Sequence, residues 1–373
     1  MASDSKVLVS IDNITNNTSS YSGNFRYLMI IHYLSIYALV LIIVGTIGNL
    51  LTIIVLLRRN LRRFVTVHYL IVVSICDIIS LYGWNLNSFY KFNISRSHGN
   101  IEDLSLIHCR LISFMTFAAL QLSSWCLTAV SLDRALSLFW LQWKQSFGRL
   151  RYTKYYIMFL TFICIAVNAH ILFLNGYHTP TGTIVCYATR SNAYYIYPVW
   201  ERVHLVLYNL CPFTIMCICN TYIIVVTVRS SQAQAVAGPN QNYRKGLEKY
   251  RQFTALLIIV TFAFVILTLP ACIYFVFFRN AFALTTQRSY RFMIQILLNS
   301  IQFTSHGINF FLYCFSASSF RHEFYGMLRE LVYHCHCIRC WSWNMTRKNN
   351  QKRRYDKNDK NGSPLERQRM NHA

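Results

Sequence analysis

Residues 107–139 read IHCRLISFMTFAALQLSSWCLTAVSLDRALSLF, with no charged side chain between Arg110 and Asp133. A helix needs about 20 mostly apolar residues to cross the hydrocarbon core of a bilayer. Arg134 lies 25 residues beyond Cys109. At about 1.5 Å per helical residue that is roughly 37 Å, a full crossing. Cys109 and Arg134 therefore belong to opposite faces of a membrane. Working outward, six more segments meet the same length: roughly 29–57, 65–86, 155–175, 203–228, 253–278 and 292–317. The sequence predicts an all-α membrane protein, a bundle of seven transmembrane helices.

Composition agrees. Of 373 residues, 54% are hydrophobic and 13% charged, about half the charge of a soluble domain. The apolar residues arrive in blocks, which excludes a soluble enzyme and a disordered chain. The net charge of +23, from 36 Lys and Arg against 13 Asp and Glu, would point to nucleic acid in a soluble protein. Here the excess sits between membrane-length segments, and no nucleic-acid partner is expected. Most of the 13 cysteines lie inside apolar runs, where a thiol behaves as a small hydrophobe.

Orientation follows from the basic residues, which concentrate on the cytoplasmic side. Arg58, Arg59, Arg62 and Arg63 follow the first segment, and Lys144, Arg149, Arg151 and Lys154 the third. Arg229, Arg244, Lys245, Lys249 and Arg251 follow the fifth, and the C-terminal tail carries Lys352, Arg353 and Arg354. The N-terminus is expected outside and the C-terminus inside. No cleavable signal precedes Tyr27, so the first segment is expected to act as a signal anchor. The sequons at Asn13, Asn16, Asn17 and Asn93 then face outward, while those at Asn344 and Asn361 face the cytosol. The expected organisation is an extracellular tail over 1–28, the bundle over 29–317, an amphipathic helix with a cysteine cluster over 318–340, and a disordered basic tail over 341–373.

Ionisable groups inside a bilayer are costly and mark function by default. Asp77 and Asp133 are the acidic residues within the segments. Asp77 is either a packing hydrogen-bond partner or a carboxylate that binds a small cation or proton, with Asn49, Ser123 and Asn309 as polar neighbours. On the outer, oxidising side stand Cys109 and a lone Cys186, expected to pair; two free thiols are the alternative.

Seven segments with Gly48-Asn49, Asp77, Cys109, Asp133-Arg134, Pro212, Phe264, Pro270 and Asn309-Phe-Phe-Leu-Tyr313 in this order resemble the rhodopsin-like G-protein-coupled receptors, over about residues 30–335. Departures from that family's pattern are visible. The fourth segment lacks a tryptophan, and Thr268 stands two residues before Pro270 where a tryptophan is usual. Phe310 follows Asn309 in place of proline, Asn220 replaces a tyrosine, and Ala135 follows Asp-Arg.

The resemblance implies a plasma-membrane receptor that couples an extracellular ligand to a heterotrimeric G protein, with arrestin as a further partner. It implies that Pro270 makes segment six a lever whose inner end swings outward. Arg134, held at rest by Asp133, would be released with Tyr313 in support, and Phe264 would repack in place of the missing tryptophan. It also implies a partial sodium site at Asp77, Ser123 and Asn309, with Ala119 where a polar partner is frequent; no other cofactor is expected. Thr116 stands where amine receptors carry an Asp, and residues 292–317 contain no lysine for retinal. A peptide ligand remains the best fit. Tyr194, Tyr195, Tyr197 and Trp200 form either a platform for peptide side chains or an interfacial anchor.

Phe320, Phe324, Met327, Leu328 and Leu331 recur at helical spacing opposite Arg321, Glu323, Arg329 and Glu330, the pattern of a short eighth helix on the inner leaflet in contact with its lipids. Cys335, Cys337 and Cys340 follow as palmitoylation candidates; a zinc cluster with His334 and His336 is the alternative. The rival function is a channel or transporter, for which one deep acid is thin support. No metal-binding helix motif or nucleophile–base pair marks an enzyme.

Overall fold

The computed structural model describes residues 4–95, 99–140, 142–187, 189, 191, 199–237, 258–278 and 288–333. Helix α1 runs Asp4–Leu56, with its apolar crossing at Arg26–Leu56. Helix α2, Val65–Phe89, is lengthened by a π turn, Tyr90–Ile94; α3 is Leu106–Phe139; α4, Leu150–Asn168, is continued by His170–Leu174. Helix α5 comprises Glu201–His204, a π segment Leu205–Leu210 and Cys211–Ala237. Helix α6 is Ile258–Phe278, α7 is Arg288–Gly307 followed by Asn309–Ser316, and α8 covers 318–333. The chain divides into two compact units, Met1–Phe320 and Arg321–Ala373. The first is the seven-helix bundle; the described part of the second, 321–333, is helical.

Two features go beyond the sequence expectation. The N-terminal segment is helical from Asp4 and continuous with the first crossing, and no proline breaks residues 4–56. Among the described residues, six helices are long and apolar enough to cross a membrane by composition, and α7 is not among them. Its polar side chains Gln295, Asn299, Gln302 and His306 lie at intermediate or buried positions within the bundle.

Polarity is inverted relative to a soluble domain. Asn49, Asp77, Ser123 and Asn309 are buried, while Phe162 and Phe315 are 69% and 80% exposed. That pattern suits a lipid solvent, in which polar groups face the bundle interior. Helix α3 packs against α2, α4 and α5, and α1 packs against α2 and α7. Small residues let α1 approach α7 closely: a Cβ on Gly45 would stand 3.2 Å from Gly307 Cα.

Helix α5 is shaped by Pro212. Lacking an N–H, it leaves the carbonyl of residue 208 without its helical donor, and the neighbouring Leu205–Leu210 turn widens to π geometry. Helix α3 supplies the missing donors. Ser124 Oγ donates to the Tyr208 carbonyl at 2.6 Å and Trp125 Nε1 to the Leu207 carbonyl at 2.9 Å. Tyr208 is thereby held inside the bundle.

Outside the crossings, β1 (Tyr177–His178) and β2 (Ile184–Val185) form an antiparallel hairpin, with Tyr177 opposite Val185. Gly176 precedes it at φ +78°, and a Cβ there would lie 2.8 Å from Cys109 Sγ. Glycine is required on both counts.

Candidate functional site

The buried centre is built around Asp77, which is fully buried. Its Oδ1 accepts from Ser123 Oγ at 2.9 Å and from His306 Nδ1 at 2.7 Å; its Oδ2 accepts from Asn309 Nδ2 at 2.6 Å. Asn49 Nδ2 donates to the His306 carbonyl at 2.9 Å. The cluster therefore joins α1, α2, α3 and α7. Phe264 and Ala263 of α6 line the small cavity beside it. Pro270 lies farther along α6, which ends in a π turn, Tyr274–Phe278. Thr268 Oγ1 donates to the Phe264 carbonyl and accepts from Asn209 Nδ2 at 2.9 Å.

The three residues expected to hold sodium come together, but a fourth has joined them. A carboxylate offers about four lone-pair sites, and three are filled here by N–H or O–H donors. A hard cation needs several oxygen ligands. His306 brings a nitrogen donor instead, and Ala119 brings nothing. The residues present do not fit a sodium ion.

An outer cavity lies above this centre. Its lining combines Trp84, Phe117 and Tyr208 with Glu102, Glu201 and Asn299. Glu102, on the short turn Ile101–Leu104 between α2 and α3, is 2% exposed and accepts from Asn87 Nδ2 at 3.2 Å. Burial pushes its carboxyl up to about 7; a hydrogen bond from Tyr187 and the charge of Lys91 oppose the rise, and Asp103 adds to it. Trp84 Nε1 and Asn299 Nδ2 have no hydrogen-bond partner among the described residues.

Cys109 and Cys186 form a disulfide with Cα atoms 5.8 Å apart. Asn175 braces it: Nδ2 donates to Ser113 Oγ at 3.0 Å and to the Cys109 carbonyl, while Oδ1 accepts from the Tyr187 backbone N–H at 2.9 Å. Tyr187 takes φ +66°, uncommon for a side chain of its size, and lines the outer cavity. The hairpin, α3 and the cavity are thus one assembly.

At the inner end, Arg134 Nη2 donates to Thr66 Oγ1 of α2 at 2.6 Å. Asp133 Oδ1 accepts from Trp143 Nε1 at 3.0 Å. The expectation that Asp133 holds Arg134 is corrected here: adjacent residues on a helix do not face each other, and these two turn to different neighbours. Tyr313 is buried, its ring 5.8 Å from that of Phe320 and its hydroxyl without a partner among the described residues. Asn220 Nδ2 donates to Thr261 Oγ1 at 3.2 Å, joining α5 to α6.

Residues 48–313 match the family model of the seven-transmembrane receptors, rhodopsin family. The chain belongs to that family. It is a G-protein-coupled receptor of the rhodopsin type and a multi-pass membrane protein, and the channel or transporter reading falls away. A comparison with curated proteins finds no match.

The remaining expected sites of the receptor fall out unevenly. Asn93 lies in the π turn ending α2, and its Nδ2 donates to Ser35 Oγ at 2.7 Å and to the Phe89 carbonyl at 3.1 Å. Both amide hydrogens are committed within the fold. Asn13, Asn16 and Asn17 lie within α1. Trp200 packs edge-on to His170 at 4.2 Å, while Tyr194, Tyr195 and Tyr197 lie outside the described residues, as do Cys335, Cys337, Cys340, Asn344 and Asn361. Sequence reasoning missed His306, Tyr208, Glu102 and Asn175. A histidine three residues before Asn309 was the one available signal.

Proposed function

We propose that this receptor resides in the plasma membrane with its N-terminus outside and binds an extracellular peptide in the outer cavity. It then activates a heterotrimeric G protein by outward movement of the inner end of α6. The observation that carries the peptide reading is the cavity lining. Trp84, Phe117 and Tyr208 offer aromatic surface, while the unpartnered Trp84 Nε1 and Asn299 Nδ2 suit backbone carbonyls. Glu102 and Glu201 favour a ligand that carries an amine or a guanidinium.

The receptor is a two-state bundle whose equilibrium the ligand biases. At rest Arg134 is tied to Thr66 of α2 and Asn220 ties α5 to α6. Outward movement of α6 about Pro270 breaks the second tie. Release of the first exposes Arg134 to the G protein, and Tyr313, whose hydroxyl has no partner among the described residues, moves to support it. Arrestin would meet the same inner surface. Glycans on Asn13, Asn16 or Asn17, and palmitates on Cys335, Cys337 or Cys340 beside α8, complete the reading.

The test is guanine-nucleotide exchange in membranes carrying the receptor, screened against peptide pools with and without basic residues. Basic peptides are expected to stimulate exchange, and Glu102→Gln with Glu201→Gln to weaken those peptides selectively. No stimulation by any peptide pool, or stimulation confined to the pools without basic residues, would refute the reading.

A further inference from the structure

We propose that Tyr208 and His306 replace a metal ion at Asp77: the chain Tyr208–His306–Asp77 links the outer cavity to the centre of the bundle, and the centre takes no sodium.

The two ends of the chain belong to two different places. Tyr208 lines the outer cavity and Asp77 lies in the centre. His306 joins them through its two ring nitrogens. Nδ1 donates to Asp77 Oδ1 at 2.7 Å, and Nε2 faces the Tyr208 hydroxyl at 3.4 Å. The imidazole thus sits where a cation would have to sit, and its N–H points at the oxygen a cation would have to use. A carboxylate oxygen only accepts, so the hydrogen of this contact is carried by Nδ1.

Tyr208 is suited to sense an occupant. Its backbone is held by Ser124 through the carbonyl that Pro212 leaves free. Its ring is stacked on His204 at 5.1 Å and meets Phe264 of α6 edge-on at 5.6 Å. Its hydroxyl also bonds Gln302. A ligand that displaces this ring therefore acts at once on α6, through Phe264, and on α7, through His306. The tryptophan usual two residues before Pro270 is Thr268 in this chain, and the aromatic contact to α6 is made by Tyr208 one helix away.

The sodium half is tested on purified receptor without ligand or G protein, so its outcome is independent of the peptide reading on which the relay's physiological use rests. Melting is compared in sodium chloride and in choline chloride at equal concentration. Wild type is expected to melt at the same temperature in both salts. His306→Ser, which removes the blocking donor and adds an oxygen, is expected to gain a sodium-dependent upward shift. His306→Asn, whose amide nitrogen stands near the place of Nδ1, is expected to stay indifferent to sodium. A sodium shift in wild type, or none in His306→Ser, would overturn the proposal. The relay half uses Tyr208→Phe, which keeps the ring and loses the hydroxyl, with His306→Asn and the double variant. Basal nucleotide exchange at matched surface levels should change in each single variant, and the double should differ little from either. Single-variant factors that multiply in the double, or an unchanged rate in either single variant, would overturn it.

Discussion

Replacing Glu102 by Gln isolates the cost of ionising a buried carboxyl at the mouth of the outer cavity. Folding raises this group from 4.5 to about 7, chiefly through burial. The folded receptor therefore holds a proton that the unfolded chain has already released. The resulting stability is complete below about pH 4.5, declines as the pH rises, and is lost once the pH passes about 7. At about 1.4 kcal/mol per pH unit, the interval corresponds to about 3 kcal/mol. Glu102 is 2% exposed, so solvent screening offers little discount. Gln keeps the shape and can still accept from Asn87 Nδ2, but it does not titrate. Denaturation midpoints of purified receptor should fall from pH 5 to pH 8 in wild type, with a flatter profile in Glu102→Gln. Parallel profiles for the two proteins would refute the account of this site.

Three further outcomes are expected. Cys109→Ser should destabilise the receptor by at most about 4.5 kcal/mol, the loop-closure entropy for the 77-residue separation of the disulfide; it should also abolish ligand binding before it abolishes expression, as read by surface labelling against peptide-stimulated exchange. Removing the sequons at Asn13, Asn16 and Asn17 should eliminate the glycosidase-sensitive mobility shift, whereas Asn93→Gln alone should leave it unchanged. Thr66→Val removes the hydrogen bond to the Arg134 guanidinium, and a bond to a charged group contributes about 1.5–3 kcal/mol, so basal exchange should rise by at least about tenfold at matched surface levels.

What was legible in the sequence follows from what sequence encodes locally. The bundle could be read because a bilayer imposes a minimum apolar length on each crossing, and residues 107–139 meet it without ambiguity. The distance from Cys109 to Arg134 then fixed which residues share a face. Local pairing was less secure. Asp133 and Arg134 look like an ion pair on paper, yet the helix turns them apart to Trp143 and Thr66. Asn93 satisfies a sequon, but the pattern says nothing of the hydrogen bonds that its amide makes with Ser35 and Phe89. His306 was invisible for a different reason. Its partner Asp77 is 229 residues away, and only packing of α7 on α2 brings the two together. The polar face of α7 is the same lesson on a larger scale: its composition became intelligible once its neighbours were known.

The central claim is that the inner end of this bundle engages a G protein through Arg134. Guanine-nucleotide exchange, measured at equal surface levels for wild type and Arg134→Ala, tests it most directly. The side chain is half-buried at the end of α3, so the variant should reach the surface. Exchange above that of receptor-free membranes is expected in wild type and should be abolished in Arg134→Ala. Undiminished exchange in the variant would contradict the account.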